Sequence, residues 1–168
     1  MKKDTYVSLH NHWHSDYSNI KFPDSINKVE SLIDYAHEIG LKGVALTDHD
    51  CISGYVKAEK HVTKRKKENP DDPTWQDFKF IFGDEIYLTK NGLTKETYER
   101  GKDRYFHFIL LAKDEIGNKQ IRELSTRSWR RSYMYFHRRV PTYFSDLDEI
   151  ISSNPGHVIA TSACLGSQ

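Results

Sequence analysis

Histidine is the residue type whose number and spacing in this sequence most suggest chemistry. The chain has nine histidines in 168 residues, and His10, His12 and His14 alternate within one short segment. Side chains two residues apart on a β-strand project from the same face, about 7 Å from each other, which suits two ligands of one divalent metal ion. The pair is either His10 with His12 or His12 with His14. A surface strand carrying hydrogen-bonded histidines would give the same pattern.

Other residues of metal-ligating type follow further segments that have the pattern of buried strands. Asp48 and His49 come directly after the apolar run KGVALT, and Glu85 stands in GDEIY after another apolar run. In α/β folds reactive groups gather at the carboxyl ends of strands. A carboxylate beside a ligating histidine can orient its ring, although Asp48 also suits a turn. Glu85 is costly to bury unless a cation satisfies it, but a partly exposed glutamate carries no such cost.

The position of three more residues in the sequence bears on whether they are metal ligands. His107 begins the apolar strand HFILLA, which in a parallel barrel places it at the end opposite the other strand exits, so periodicity does not favour it as a ligand. Cys164, in ATSACLG, is either a small buried apolar residue or a soft ligand that favours zinc. Cys51 lies outside any ligand pattern, and we expect it to be structural.

A second feature is a basic segment rich in aromatic residues, at 119–139. It holds seven Lys and Arg residues against one acid, a local charge of +6, with Trp, Tyr and Phe between them. Arginine and aromatic side chains together suit a phosphate backbone with stacked bases, so Arg127, Arg130 and Arg131 are candidate contacts to single-stranded DNA. The alternative is a solvated helix face whose aromatic residues belong to the core.

The elements that must position these residues alternate between strand and helix. Residues 23–25 (PDS) resemble a helix start, Gly40 stands where a C-cap glycine belongs, and the Asn-Gly pair at 91–92 suggests a hairpin tip. This alternation predicts an α/β fold of βαβ units around a parallel sheet or barrel. The expected strands are 6–14, 42–47, 78–82, 105–112 and 157–161, and the expected helices are 26–39, 53–67, 115–135 and 147–152.

Composition limits the class of protein. A chain of 168 residues is enough for one domain with one core, and its net charge of +1 requires any electrostatic function to be local. The longest apolar run, FILLA at 108–112, is far short of the roughly 18 residues of a membrane span. The polar N-terminal segment and the two widely separated cysteines predict a cytoplasmic protein in a reducing compartment, without a membrane partner.

The motifs that carry these residues resemble those of the polymerase and histidinol phosphatase (PHP) family. More narrowly, LHNHWHSDYS, TDHD, GDEIY, YFHFILLAKDEIGNKQIRELS and GHVIATSACLG are similar, in this order, to the N-terminal region of bacterial DNA polymerase III alpha subunits. The resemblance selects the second and third histidines of the first motif. The metal ligands that it implies are His12, His14, Asp24, His49, Glu85, His107 and Cys164.

The resemblance also implies a fold and a chemistry. PHP domains are distorted (β/α)7 barrels around a trinuclear metal centre, and the family's final Asp-x-His motif does not occur in this sequence. We therefore expect residues 1–168 to be the N-terminal portion of a PHP domain, an incomplete barrel of about the first five strands, either truncated or the product of a split gene. The partners implied are DNA and the remainder of a polymerase chain.

The expected activity is metal-dependent phosphoester hydrolysis of the 3′–5′ exonuclease type, in which Asp24 and His49 also serve catalysis. Zinc is the expected metal because thiolate and imidazole ligands favour it, with Mn²⁺ or Mg²⁺ as alternatives. Two other functions remain open: a stand-alone phosphatase of the histidinol-phosphate type, and a non-catalytic scaffold that metal stabilises. Hydrolysis by the isolated chain is expected to be weak.

Overall fold

The computed structural model describes residues 10–19, 23–135 and 140–164. Within them helices and strands alternate along most of the chain, as the sequence predicts. In chain order the elements are β1 (His10–Trp13), α1 (Val29–Glu38), β2 (Gly43–Leu46), α2 (Tyr55–Glu68), α3 (Pro73–Asp77), β3 (Lys79–Thr89), β4 (Phe106–Ala112), α4 (Glu115–Tyr135), β5 (Pro141–Tyr143), α5 (Phe144–Leu147) and β6 (Val158–Ser162).

The strands form one six-stranded sheet in the order β1-β2-β3-β4-β6, with the short β5 beside β3. The α/β class and the curled half-barrel are as predicted. The expected parallel arrangement holds for β1, β2 and β3, but β4 runs antiparallel to β3 and to β6. β5 was not predicted. It pairs in parallel with the last three residues of β3.

β3 is much longer than the predicted strand 78–82. Its first four residues pair with β2, and the residues from Gly83 onward pair with β4, so the strand gains a new partner where the sequence suggests a break. Gly83 allows the close packing at this point, because a Cβ there would lie 2.8 Å from side-chain atoms of both Thr47 and Leu111. Glu85 consequently lies inside the strand, and not at its exit as predicted.

α1 begins several residues later than the predicted start at 23–25. The side chains of Asn19 and Ser25 satisfy the backbone here instead. Asn19 Oδ1 accepts from the amides of Asp24 and Ser25, and Ser25 Oγ donates to the carbonyl of His14 at 2.9 Å. Residues 23–28 are therefore not helical and are held to the end of β1 through Ser25. The predicted C-cap is present, since Gly40 follows the helix with φ +84°.

The helices cover one face of the sheet with two apolar clusters. In the first, α1, α2 and α3 pack on β2, and in the second α4 packs on β3 and β4 through Ile86, Leu110, Ile121 and Leu124. Because side chains alternate along a strand, Glu85 projects from the face of β3 opposite Ile86. A smaller cluster, Ala45, Ile109 and Leu111, lies apart from these two. The candidate site lies on the sheet face that the helices leave uncovered.

α4 has 21 residues that match the predicted bounds, and the residues just before it contact the start of β6. The Lys113 amide donates to the His157 carbonyl at 2.9 Å, and Nδ1 of His157 lies 2.7 Å from Oδ2 of Asp114. Gly117 is buried so closely that a Cβ there would lie 2.1 Å from the same carbonyl oxygen. Among the described residues, no helix is long and apolar enough to span a membrane.

Candidate metal centre

The reversed direction of β4 brings His107 to Glu85. In the antiparallel register Tyr87 lies opposite His107 and Glu85 lies opposite Ile109, so the beginning of β4 is next to the later half of β3. His107 Nδ1 lies 2.8 Å from Glu85 Oε1. Placing His107 at the far end of a parallel barrel was therefore wrong, because β4 is antiparallel.

One group of converging ligand atoms comes from β1, from the residue that directly follows β1, and from β3. The Nε2 atom of His12 lies 2.8 Å from Glu85 Oε2, and that of His14 lies 3.1 Å from the same oxygen. The two Nε2 atoms are 2.9 Å apart. His12 and His14 are thus the pair that meets Glu85, and the side chain of His10 lies outside the described residues.

A second group shares Glu85 and adds β4 and the exit of β6. His107 Nδ1 is 3.4 Å from Cys164 Sγ, so the thiol and the carboxylate approach the same ring nitrogen. In each group the ligand atoms all lie within 4.8 Å of one another. Four strands therefore deliver imidazole, carboxylate and thiol groups to one place.

The donor atoms of both groups suit a divalent cation. Oε1 of Glu85 is buried and has no hydrogen-bond partner among the described residues, although His107 Nδ1 lies only 2.8 Å away. The Nε2 atoms of His12 and His14 lie 2.9 Å apart and both contact Glu85 Oε2. Imidazole, carboxylate and thiolate groups that converge in this way are the ligands of zinc sites.

The charge state of Glu85 also suits this role. Burial by itself raises the pKa of a carboxyl group, but hydrogen bonds with His14 and His12, together with electrostatic interactions with His49 and His14, lower the pKa of Glu85 to about 2. Glu85 is therefore an ionised carboxylate at neutral pH, although its side chain is only 1% exposed.

His49 and Asp24 lie at the edge of this cluster. His49 Nδ1 is 3.5 Å from Glu85 Oε2, and its Nε2 is 2.7 Å from Asp24 Oδ2. Asp24 is half exposed, and within the described residues its carboxylate contacts the cluster through His49 alone. All seven residues implied by the resemblance thus lie in one region, but Asp24 and His49 belong to neither group of converging atoms.

Tyr87 is a member of the site that the sequence analysis missed. Its hydroxyl lies 3.4 Å from His49 Nδ1, and its ring packs edge-on against the ring of His107 with centroids 4.5 Å apart. Tyr87 follows Glu85 by two residues on β3, so both side chains share a face. That spacing would have identified it if β3 had been predicted to continue past Phe82.

Asp48 was open to two interpretations, orienting the ring of His49 or forming a turn; it is buried, and its carboxylate holds the turn after β1. It accepts hydrogen bonds from Ser15 and Ser18. Burial raises the pKa of Asp48, while these hydrogen bonds act against that change. Cys51 is buried, and burial raises the pKa of its thiol.

The candidate DNA-binding arginines of α4 differ in their surroundings. Arg131 makes two parallel hydrogen bonds with Asp146, each 2.9 Å long, and its guanidinium lies over the Tyr143 ring. Arg127 pairs with Glu123 and Glu149. These contacts give Arg127 and Arg131 a role in holding α4 to its neighbours. Arg130 is exposed and has no carboxylate partner among the described residues, while residues 136–139 of the basic segment lie outside that part of the chain.

Comparison with known proteins agrees with this geometry. The model of the PHP domain family matches residues 10–168. The chain is 42% identical to a DNA-directed DNA polymerase of Bacillus phage SPbeta and 33% identical to the DNA polymerase III subunit alpha of Borreliella burgdorferi, in each case over 94% of this chain and 12% of the relative. The chain thus spans about an eighth of the length of these curated relatives.

Solved structures show a more distant similarity. A protein assigned as a metal-dependent phosphoesterase from Bifidobacterium adolescentis is 20% identical, with a TM-score of 0.41 over 74% of this chain and 35% of that one. An amidohydrolase from Chromobacterium violaceum is 19% identical, with a TM-score of 0.42 over 75% of this chain and 36% of that one.

Proposed function

Because the chain belongs to the PHP domain family, we propose that its His, Glu and Cys cluster is a divalent-metal centre that hydrolyses phosphoesters. The observation that carries the proposal is the convergence of imidazole and thiol groups on the buried carboxylate of Glu85. In the larger protein this region is the N-terminal PHP portion of a DNA polymerase III alpha subunit, with a 3′–5′ exonuclease role in replication. Its partners are DNA and the remainder of the polymerase chain, in the cytoplasm.

The two ligand groups divide the metal-binding role. His12, His14 and Glu85 hold one cation, and Glu85, His107 and Cys164 hold another. A divalent cation bound there lowers the pKa of its water and neutralises phosphate oxygens. Zinc is the preferred metal because of the imidazole and thiolate ligands, and Mn²⁺ and Mg²⁺ are the alternatives.

Asp24 and His49 are the residues that handle protons in this proposal. Asp24 orients the ring of His49 through the 2.7 Å contact at Nε2, and the imidazole accepts or donates a proton during attack on the phosphoester. Their place at the exposed edge of the cluster is where a phosphodiester arrives from solvent. The Tyr87 hydroxyl, 3.4 Å from His49 Nδ1, helps to fix the same ring.

A scaffold that metal only stabilises is the second candidate, and one observation favours it. The ligands come from four strands, so a bound cation cross-links the sheet and its binding free energy adds to the free energy of unfolding. A stand-alone phosphatase of the histidinol-phosphate type is less favoured, because both curated relatives described above are DNA polymerases.

Hydrolysis and metal content of the whole chain separate these functions. Zn²⁺, Mn²⁺ and Mg²⁺ are added in turn to the metal-free protein, with 5′-labelled single-stranded DNA and histidinol phosphate as substrates. The proposal expects shortening of the DNA from its 3′ end, which the double variant His12→Ala/His14→Ala loses. Bound zinc and a raised melting temperature without hydrolysis would support the scaffold, and release of phosphate from histidinol phosphate alone would support the phosphatase.

DNA contact through α4 is a separate prediction that now rests on Arg130. Replacing Arg130 with Glu is expected to weaken single-stranded DNA binding about threefold and to reduce the slope of log affinity against log salt by roughly 1, because one phosphate contact is lost. Fluorescence anisotropy across a salt series measures both. Lys67→Glu on α2 is the matched charge control, and equal effects of the two changes would show that only net charge matters.

A further inference from the structure

Asp48 is the centre of a buried hydrogen-bond network beneath the candidate metal centre. Its Oδ1 accepts from the Ser15 amide at 2.6 Å and from the Ser18 hydroxyl at 2.8 Å, and its Oδ2 accepts from the Ser15 hydroxyl at 2.7 Å. Asp48 and Ser15 are fully buried and Ser18 nearly so. Asp48 thereby anchors the turn that follows β1.

That turn places Ser18 next to two histidines. A short 3₁₀ turn, Asp16–Ser18, starts at Ser15 and folds the chain back toward β1. Ser18 Oγ then lies 3.0 Å from Nδ1 of His14 and 3.1 Å from the backbone nitrogen of His49. One hydroxyl thus contacts the ring of one candidate ligand and the backbone of another.

The roles of these contacts follow from what a hydroxyl can do. A serine hydroxyl donates one hydrogen bond and accepts two. Asp48 Oδ1 is an acceptor, because it already accepts a hydrogen bond from the Ser15 amide. The single proton of Ser18 is therefore donated to Asp48 Oδ1. The His49 amide must donate, so it occupies one lone pair of Ser18. The remaining lone pair faces His14 Nδ1, which must therefore carry a hydrogen.

We propose that Ser18, held by Asp48, is a positioning residue that keeps a proton on Nδ1 of His14. Nε2 is then the ring nitrogen of His14 that is left to bind a cation, and it lies 3.1 Å from Glu85 Oε2. Hydrogen bonds to the distal nitrogen of a ligating histidine fix its tautomer and ring orientation and raise its basicity. The metal-binding part of this inference rests on the proposed function, whereas the tautomer itself does not.

The tautomer is tested on the whole, metal-free wild-type chain. Histidine-selective ¹⁵N labelling and long-range ¹H–¹⁵N correlation distinguish the protonated ring nitrogen from the bare one at mildly alkaline pH, and His14→Gln assigns the signals of His14. The expected result is a proton on Nδ1. A bare Nδ1, or an even mixture of tautomers, overturns the inference without any variant having to fold.

The effect on metal binding is tested with two substitutions of Ser18. Ser18→Ala is expected to lower the affinity for Zn²⁺ by about 10- to 100-fold in a chelator competition, the usual loss when the partner of a ligating histidine is removed. It should also give a mixture of His14 tautomers. Ser18→Thr keeps the hydroxyl and should restore both. Ser128→Ala is the matched control, since it removes a buried hydroxyl that bonds to Thr142 away from the centre.

The outcomes separate this inference from the proposed function. Wild-type affinity in Ser18→Ala, or a loss of the same size in Ser128→Ala, overturns the positioning role of Ser18. A wild-type chain that has the expected His14 tautomer but binds no Zn²⁺ contradicts the proposed function and leaves the hydrogen-bond assignment supported.

Discussion

Replacing Glu85 with Gln is expected to remove both metal equivalents from the chain at once. Glu85 is the residue common to the two ligand groups, and the change removes its charge while keeping its shape. Loss of a direct ligand should weaken Zn²⁺ binding by at least the roughly 100-fold known for residues that only support ligands. At a free zinc concentration 100 times the wild-type dissociation constant, binding at one site stabilises the chain by about 2.7 kcal/mol, and most of this stabilisation would then be lost.

Elemental analysis and thermal melts with and without zinc measure this effect. The matched control is Glu123→Gln, which makes the same chemical change on the exposed surface of α4, where Glu123 pairs with Arg127. The control should keep the wild-type metal content and zinc-dependent stabilisation. If Glu85→Gln retains two equivalents with unchanged affinity, Glu85 is not the shared ligand.

Replacing Gly117 with Ala is expected to destabilise the fold by about 3 kcal/mol, the upper end of the usual cost of overpacking. In an exposed helix the same change would normally stabilise the protein by up to about 1 kcal/mol. Here the new Cβ would lie 2.1 Å from the carbonyl oxygen of His157, which is backbone and cannot rotate away. Because His157 precedes β6, relief of this clash also moves the strand that leads to Cys164.

Urea unfolding of the metal-free chain measures the first effect, and zinc titration measures the second. Lys119→Ala in the same turn of α4 is the control, since its side chain is exposed and its removal should change the free energy of unfolding by less than about 0.5 kcal/mol. A Gly117→Ala chain as stable as wild type would show that α4 and β6 are not packed as described.

Local features of the fold could be predicted from the sequence because local physics determines them. The bounds of α4 follow from helical periodicity, and the end of α1 follows from the left-handed conformation that Gly40 adopts. The direction of β4 could not be predicted in this way. A strand has the same side-chain alternation in either direction, and its direction depends on pairing with β3 across the connection at residues 90–105.

For the candidate site, too, local sequence motifs predict which residues take part, but they do not predict contacts between residues that are distant in the sequence. The motifs in the sequence identify the residues that converge on Glu85. They do not identify Tyr87 as a member of the site, and they do not predict the hydrogen bonds of Ser18. The basic segment shows the reverse case, because its charge suggested DNA contacts for Arg131 but did not indicate that Arg131 pairs with a carboxylate of the chain. The acidic partner, Asp146, lies 15 residues away in sequence and becomes adjacent only when α5 packs against α4.

The sharing of Glu85 by two ligand groups has a consequence for synthesis of the chain on the ribosome. The group of His12, His14 and Glu85 is complete once β3 has emerged, and β1 to β3 with α1 and α2 already form a parallel βαβαβ unit. The group with His107 and Cys164 has all its members only after β6 is made. Since N-terminal regions generally fold first during translation, one half of the proposed centre would be able to bind a divalent cation before the other half exists.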